Sequence, residues 1–307
     1  MGRKVCVLMS TYNGEKYLKE QIDSILNQIE VEIYLLIRDD GSKDSTVEIL
    51  DKYNKLENVT VIKGENLGAK KSFLTLISMA PDYFDYYALS DQDDYWLEDK
   101  MISAISHIEG EVKSLEDNFL YYSNTCLVDK DLFPLNEIGF NVDRPYSFGE
   151  ILIRNCASGC TYVFGKKLKG LIKAPQDLNL ENIPMHDHWI NMVCLATGGK
   201  IIFEKKSHIL YRQHGGNLVG SQKNSFLDKV LKSSLFKKTD NRYVHAKSLL
   251  ANYEDLMTDC NKETLYKVTN YKDNYLKTMI LAVDRFIKPR AFLSRCMIFL
   301  SVLRRSF

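Results

Sequence analysis

Val5-Cys-Val-Leu-Met-Ser-Thr-Tyr-Asn-Gly14 sets a short apolar run directly against a polar turn cluster. The same pattern returns three times. Glu32–Ile37 is strand-like and runs into Arg38-Asp-Asp-Gly-Ser42, Val59–Ile62 makes a third strand, and Tyr86–Leu89 a fourth that ends in Ser90-Asp-Gln-Asp-Asp94. Between these runs apolar residues recur at helical spacing. Tyr17, Leu18, Ile22, Ile25 and Leu26 form one such set, Val47, Ile49, Leu50 and Tyr53 a second, and a third helix spans about Ala69 to Met79. The alternation predicts an α/β fold with a mainly parallel sheet covered by helices on both faces. In open sheets of this class ligands bind outside the carboxyl ends of the strands. All four expected strands end there in polar clusters, at Ser10–Asn13, Asp39–Ser42, Lys63–Asn66 and Ser90–Asp94.

Farther along, residues 101–220 read as mixed α+β. A helix at Met101–Ile108 precedes strands at Phe119–Ser123 and Thr125–Val128, then an irregular stretch holding Pro134 and Pro145. A strand at Thr161–Phe164, a helix at His186–Leu195, and strands at Lys200–Phe203 and His208–Tyr211 follow. From about residue 221 the pattern is helical and Lys-rich. The expected organisation is one domain over 1–220, with halves at about 1–100 and 101–220, followed by a basic helical region over 221–307.

The 307 residues are 45% apolar, enough for a substantial core and too many for a disordered chain. Seven scattered cysteines do not make a disulfide scaffold and fit reduced thiols in a cytosolic protein. Met1-Gly-Arg-Lys leads straight into the first strand with no apolar leader segment, so a cytoplasmic location is expected. A formal net charge of +1 hides an asymmetry. Residues 221–307 carry 17 Lys+Arg and 8 Asp+Glu, whereas residues 1–220 carry 24 and 32. In the last stretch, Phe286 to Phe307, apolar residues mingle with Arg290, Arg295, Arg304 and Arg305. Its longest uncharged piece, Cys296–Leu303, falls far short of the ~20 residues of a spanning helix. A basic amphipathic helix lying on an anionic membrane face is one reading. A helix packed on the body or on a partner is the other.

The chemistry concentrates in a few segments. Ser90-Asp-Gln-Asp-Asp-Tyr95 places three carboxylates within four positions, and these repel one another unless a cation sits among them. Asp91 and Asp93 lie on one side of an extended turn, as hard divalent cations prefer. Mg²⁺ in such sites keeps one or two protein carboxylates and fills its shell with phosphate and water. The segment thus points to a metal–diphosphate complex; an acidic loop or helix start is the alternative. A carboxylate of Arg38-Asp-Asp-Gly-Ser-Lys-Asp44 could accept from a base imide or a ribose hydroxyl, or form an Asx turn. Gly64-Glu-Asn-Leu-Gly-Ala-Lys-Lys-Ser72 lacks the phosphate-loop spacing, because two residues separate Gly68 from Lys71. A basic helix start beside a diphosphate remains one reading of Lys70 and Lys71, and a solvated helix start the other.

Pro184-Met-His-Asp-His-Trp189 sets Asp187 between two imidazoles that diverge on a helix, which argues against zinc. Asp187 reads better as the carboxylate that takes a proton from a hydroxyl nucleophile, or as an N-cap or buried ion pair. Tyr211-Arg-Gln-His-Gly-Gly-Asn217 ends a strand in a loosened turn from which Arg212 and His214 could reach phosphate or metal. Cys156 and Cys160 read as core or loop thiols.

In their order, Ser10-Thr-Tyr-Asn-Gly14, Asp39-Asp-Gly-Ser42, Asn66-Leu-Gly68, Ser90-Asp-Gln-Asp-Asp94 and Asp187-x-Trp189 resemble the family 2 inverting glycosyltransferases of GT-A fold, over about residues 4–220. The pairing of Ser90–Asp94 with Tyr211-Arg-Gln-His214 looks most like the rhamnosyltransferase-like branch of bacterial surface polysaccharide synthesis. The Q-x-x-R-W signature of the processive branch is missing, which argues for single-sugar transfer. The resemblance implies a Rossmann-like, mainly parallel sheet with a C-terminal helical extension. It implies that Ser10, Thr11 and Tyr12 line the nucleotide and that Asp40 reads the base. Asp91 would contact the ribose or donor sugar near the metal, and Asp93 would hold Mn²⁺ or Mg²⁺ on the diphosphate. Lys71, Arg212 and His214 would contact diphosphate or metal, and Asp187 would be the catalytic base. Residues 221–307 receive no role from it.

The expected reaction is metal-dependent inverting transfer of one sugar from dTDP-rhamnose or a UDP-hexose to a saccharide or lipid-linked saccharide. The expected place is the cytoplasm, peripheral on the inner face of the plasma membrane through residues 286–307, without nucleic acid as a partner. A sugar nucleotidyltransferase and a non-catalytic subunit of a polysaccharide assembly complex are the rival readings. The first is disfavoured because Ser10–Gly14 lacks a G-x-G-rich loop.

Overall fold

β1 (Lys4–Thr11) owes its continuous apolar run to its place in the larger sheet, where Val5 to Met9 are all fully buried. A strand covered on both faces has no polar side to show, so the alternation of a half-exposed strand is absent. Each such Val, Leu or Met contributes about 2 kcal/mol by leaving water. The computed structural model describes residues 3–138, 143–155, 157–173, 175, 178–214, 241–287, 289–290 and 292–307.

The chain divides into two compact units. The first comprises Met1–Pro145, Ala157–Gln176 and Gly199–Gly220. Its larger sheet holds β1, β2 (Glu32–Asp39), β3 (Val59–Lys63), β4 (Tyr86–Ser90), β6 (Phe119–Ser123), β9 (Val163–Gly165) and β10 (Lys200–Glu204), in the order β10-β6-β9-β4-β1-β2-β3. β1 to β4 are parallel, with Val7 level with Leu35 and Ala88, so all four polar strand ends share one edge. β9 alone runs antiparallel, between β4 and β6. It starts two residues later than the sequence predicts, because Gly159–Thr161 close a single 3₁₀ turn first. Helices α1 (Leu18–Leu26), α2 (Thr46–Tyr53), α3 (Gly68–Met79), α4 (Lys100–Glu111) and α6 (Lys166–Lys173) flank this sheet.

A smaller sheet in the same unit orders β5 (Tyr95–Trp96), β11 (Ile209–Arg212), β7 (Cys126–Val128) and β8 (Pro134–Ile138) as β5-β11-β7-β8. β8 lies in the stretch expected to be irregular. Pro134 opens this edge strand, where a missing N–H costs no ladder bond.

The second unit comprises Tyr146–Cys156, Asp177–Gly198 and Ser221–Phe307. Where the sequence reading drew one line at residue 220, these units interleave along the chain. α5 (Phe148–Ile153) and α7 (His186–Ala196) join α8 (Arg242–Tyr253), α9 (Asp259–Asn270), α10 (Tyr275–Ala282) and α11 (Phe292–Leu303). The reason is apolar burial: Trp189 is fully buried, with its ring 6.0 Å from that of Tyr253. Arg242 Nε donates to the Ile153 carbonyl at 2.9 Å and His188 Nε2 lies 2.6 Å from the Ile151 carbonyl. α5 starts at a capping box in which Ser147 and Glu150 satisfy each other's backbone N–H groups. The helical pattern expected from 221 is present from Arg242 onward; residues 221–240 lie outside the described residues. Among the described residues no helix is long and apolar enough to cross a membrane.

Candidate active site

The four polar strand ends of the first unit are stitched together by their own side chains. After β1, Asn13 takes a left-handed backbone (φ 48°), which Asn tolerates better than most residues, and its amide oxygen accepts from Lys43 N–H at 2.8 Å. Tyr12 N–H donates to Gln92 Oε1 at 2.8 Å while Gln92 Nε2 donates to the Tyr12 carbonyl at 3.0 Å. This reciprocal pair ties the β1 end to the acidic loop after β4. Gly14 permits the approach, since a Cβ there would fall 2.3 Å from Gln92 Oε1. Ser10 Oγ donates to Ser72 Oγ at 2.6 Å, and Thr11 Oγ1 to Asp39 Oδ1 at 3.2 Å. Asp39 itself accepts from the Gly41 and Ser42 N–H groups, the Asx turn that was the alternative reading of this motif.

Asp40 is only 2% exposed, and its carboxylate is engaged on both oxygens. It pairs with Arg38 and accepts from Leu67 N–H at 2.9 Å and Gly68 N–H at 2.8 Å. It thereby anchors the start of α3, where Gly68 needs its positive φ of 76°. Arg38 also reaches Ser72 Oγ at 3.1 Å and the Glu65 carbonyl at 2.8 Å. Lys71 stands exposed in the first turn of α3.

Within the acidic loop the structure brings Asp93 and His214 together: His214 Nε2 lies 2.7 Å from Asp93 Oδ2, both side chains about four-fifths buried. Arg212 does something other than face a ligand. It is 2% exposed, donates through Nε to the Asp93 carbonyl at 2.8 Å and through Nη1 to the Lys130 carbonyl at 2.6 Å, and pairs with Glu20. Its backbone N–H donates to Asp94 Oδ1 at 3.2 Å, and its guanidinium carbon sits 4.3 Å from the centre of the Tyr17 ring. The Tyr17 ring is 5.1 Å from that of His214. Arg212 is thus built into the framework that carries Asp93 and His214.

Below this surface lies a second group. Single ligand atoms of Asp91, Asp94 and Cys160 all fall within 4.8 Å of one another. Asp94 is fully buried, and burial first, then the charges of Asp93 and Asp91, push its carboxyl well above the usual range. Burial likewise raises the Cys160 thiol, so it stays protonated and is a poor ligand for a hard cation. Lys100, buried over the Trp96 ring at 3.6 Å, is lowered by burial to about 7, with Cys160 and Asp94 pulling the other way. Cys160 is the core thiol the sequence suggested; Cys156 lies outside the described residues. Residues 215–217 of the loosened turn also lie outside them.

In the second unit Asp187 occupies the first turn of α7, half-buried. Asn155 Nδ2 donates to its Oδ2 at 2.7 Å, and His188 N–H donates to its Oδ1 at 2.7 Å. The carboxylate is therefore oriented by two donors. His186 and His188 are both pulled down by burial, so the pair is neutral near pH 7. Sequence reasoning missed Gln92, Arg38, Lys100 and Asn155. Gln92 and Arg38 stood inside quoted motifs, and that position was their only signal.

The family model described as glycosyl transferase family 2 matches residues 6–144. The dTDP-rhamnosyl transferase RfbG of Shigella flexneri is 30% identical over 224 residues, covering 69% of this chain and 74% of that protein. The Escherichia coli UDP-Glc:alpha-D-GlcNAc-diphosphoundecaprenol beta-1,3-glucosyltransferase WfaP is 24% identical over 235 residues, covering 76% and 85%. The crystal structure of S. aureus TarS 1-349 in complex with UDP-GlcNAc matches with a TM-score of 0.56 at 15% identity, over 98% of this chain and 81% of that one. That likeness carries the fold. The chain belongs to glycosyl transferase family 2 and is a glycosyltransferase built on a GT-A type fold.

Proposed function

We propose that this enzyme moves one sugar, with inversion, from a nucleoside-diphosphate sugar to a saccharide or lipid-linked saccharide acceptor in polysaccharide synthesis. The observation that carries the reading is the Asp93–His214 pair at the shared carboxyl edge of β1 to β4. Asp93 and His214, hydrogen-bonded at 2.7 Å, put one carboxylate and one imidazole side by side, a set that suits Mn²⁺ better than Mg²⁺, which prefers oxygen ligands. Such a cation, when bound, would neutralise charge gathering on the departing diphosphate. Asp93 and His214 would hold it, with Asp91 beside them facing the ribose or donor sugar.

Ser10, Thr11 and Tyr12 line the nucleotide in this reading. Asp40 serves base recognition through the Leu67–Gly68 turn it holds, and Lys71 offers its ammonium to the diphosphate. Arg212 acts through Asp93 rather than on the phosphate. Asp187, oriented by Asn155, takes the proton from the acceptor hydroxyl as that oxygen bonds to the anomeric carbon and the diphosphate leaves with the bonding pair. Only one base is needed, unlike the two carboxyls of a glycosidase.

The donor is proposed as dTDP-rhamnose first and a UDP-hexose second, in keeping with the printed names of RfbG and WfaP. The diphosphoundecaprenol in the latter name supports a lipid-linked acceptor, and with it work at the inner face of the plasma membrane. A thermal-shift panel of nucleotide sugars tests the donor half, because a bound donor stabilises the native state by mass action. A Mn²⁺-dependent rise with a dTDP- or UDP-sugar, lost in Asp93→Asn, is expected. A rise as large without the metal, or in the variant, would overturn the metal assignment.

A further inference from the structure

α10 carries apolar side chains on its exposed side as well as its buried one, where Leu281 packs. Its inward positions include Thr278, fully buried, whose hydroxyl donates to the Tyr271 carbonyl at 2.8 Å. Its exposed positions include Lys277 and three apolar residues: Leu276 is 70% exposed, Ile280 45% and Val283, just past the helix end, 61%. These three recur at i, i+4 and i+7 and so share one helix face. Tyr275 before them and Phe286 after them are also exposed. Among the described residues this apolar face stays exposed, and an apolar face turned to solvent at helical spacing marks an interaction surface.

The charge around it selects the occupant. Residues 271–307 carry eight Lys+Arg and two Asp+Glu. Both acids are already engaged, Asp273 by Lys277 at 2.8 Å and Asp284 by Lys267 at 3.4 Å. Arg285 stacks on Phe286, with its guanidinium carbon 5.2 Å from the ring centre. α11 packs on α10, exposes Phe299 and Leu300, and leads into exposed Arg304 and Arg305. Two copies of so cationic a surface repel each other, whereas an anionic bilayer attracts it and takes up the apolar side chains. We propose that the Leu276–Ile280–Val283 face of α10 docks on anionic phospholipid, with the basic residues around it as its electrostatic rim. This centres the contact on α10, with the exposed residues of the expected 286–307 segment at its rim, since Ile298, Val302 and Phe307 of that segment are buried. The inference deepens the lipid-linked-acceptor reading and rests on it for its purpose alone.

The full chain is mixed with vesicles of phosphatidylcholine alone or with about one third phosphatidylglycerol, then sedimented. Binding to the anionic vesicles, weakened by salt and reduced by about tenfold or more in L276E/I280E/V283E, is expected. These positions are exposed, so the variant should unfold at the wild-type temperature and turn over donor in solution at the wild-type rate. Donor turnover reports the catalytic reading and sedimentation this one, so either can fail alone. Wild-type protein left in the supernatant, or a triple variant that sediments like wild type, would overturn the proposal. So would self-association of the wild type that the triple substitution abolishes without any vesicle binding, since the occupant would then be a second copy.

Discussion

Arg212 donates to the carbonyls of Asp93 and Lys130, pairs with Glu20, and offers its backbone N–H to Asp94. A planar guanidinium reaches those partners in fixed directions, which a lysine ammonium on a flexible stem does not reproduce. Arg212→Lys should therefore lower thermal stability by about 2 kcal/mol, the loss of one or two buried hydrogen bonds. It should also raise the Mn²⁺ concentration for half-maximal activity by roughly tenfold, because the Asp93 loop is no longer held. An unchanged Mn²⁺ requirement in a folded variant would remove Arg212 from the site's framework. The clustering of Asp91, Asp93 and Asp94 at the end of β4 was legible in the sequence because it lies within one short motif. Residues whose role depends on a distant partner were not: Gln92 meets Tyr12 from 80 positions away, and Asn155 meets Asp187 from 32. The sequence offered Arg212 as a phosphate or metal contact and could not show that it faces inward, since only burial separates a phosphate ligand from a positioning side chain.

At the scale of elements, β1, β2 and β4 were readable because burial on both faces leaves apolar runs, and the half-buried edge strand β3 because it is rich in β-branched residues. α5 was not, being six residues and too short for a periodic stripe; its signal was the Ser147-x-x-Glu150 capping box instead. The antiparallel direction of β9 left no mark in three residues. One cluster pins several elements together and makes their stability pH-dependent. His208, ahead of β11, lies 2.8 Å from Asp99 before α4 and 2.8 Å from Glu204 at the end of β10, and Tyr121 of β6 donates to Glu204 at 2.6 Å.

Burial opposes ionisation of both groups, yet their mutual bonds win. Glu204 is lowered to about 2, and His208 is raised above its usual value. A depressed carboxylate stabilises the fold above its unfolded value near 4.5, and that contribution is lost as pH falls toward 2. A raised imidazole stabilises below its unfolded value near 6.5 and loses that contribution as pH rises through its folded one. The melting temperature should therefore plateau between about pH 4.5 and 6.5 and fall on both sides. In His208→Gln the alkaline decline should flatten. A variant profile parallel to wild type above pH 6.5 would show that His208 is uncharged in the fold.

For the whole molecule, the net charge of +1 is the sum of an acidic stretch over 1–220 and a basic one over 221–307. In the proposed reading the acidic stretch supplies carboxylates for a cation and a departing diphosphate, and the basic one a surface for anionic lipid. The sequence carried the charge asymmetry, but not the interleaving of the two units, which depends on how Trp189 and Tyr253 bury each other. The central claim is a single displacement with Asp187 as base. It is tested most directly by following transfer from the stabilising donor by NMR, in wild type and in Asp187→Asn. The account predicts a product of inverted anomeric configuration from the wild type. In the variant it predicts a turnover loss of about a hundredfold to ten-thousandfold, with donor-induced stabilisation retained. A product of retained configuration, or near-normal turnover in Asp187→Asn, would contradict it.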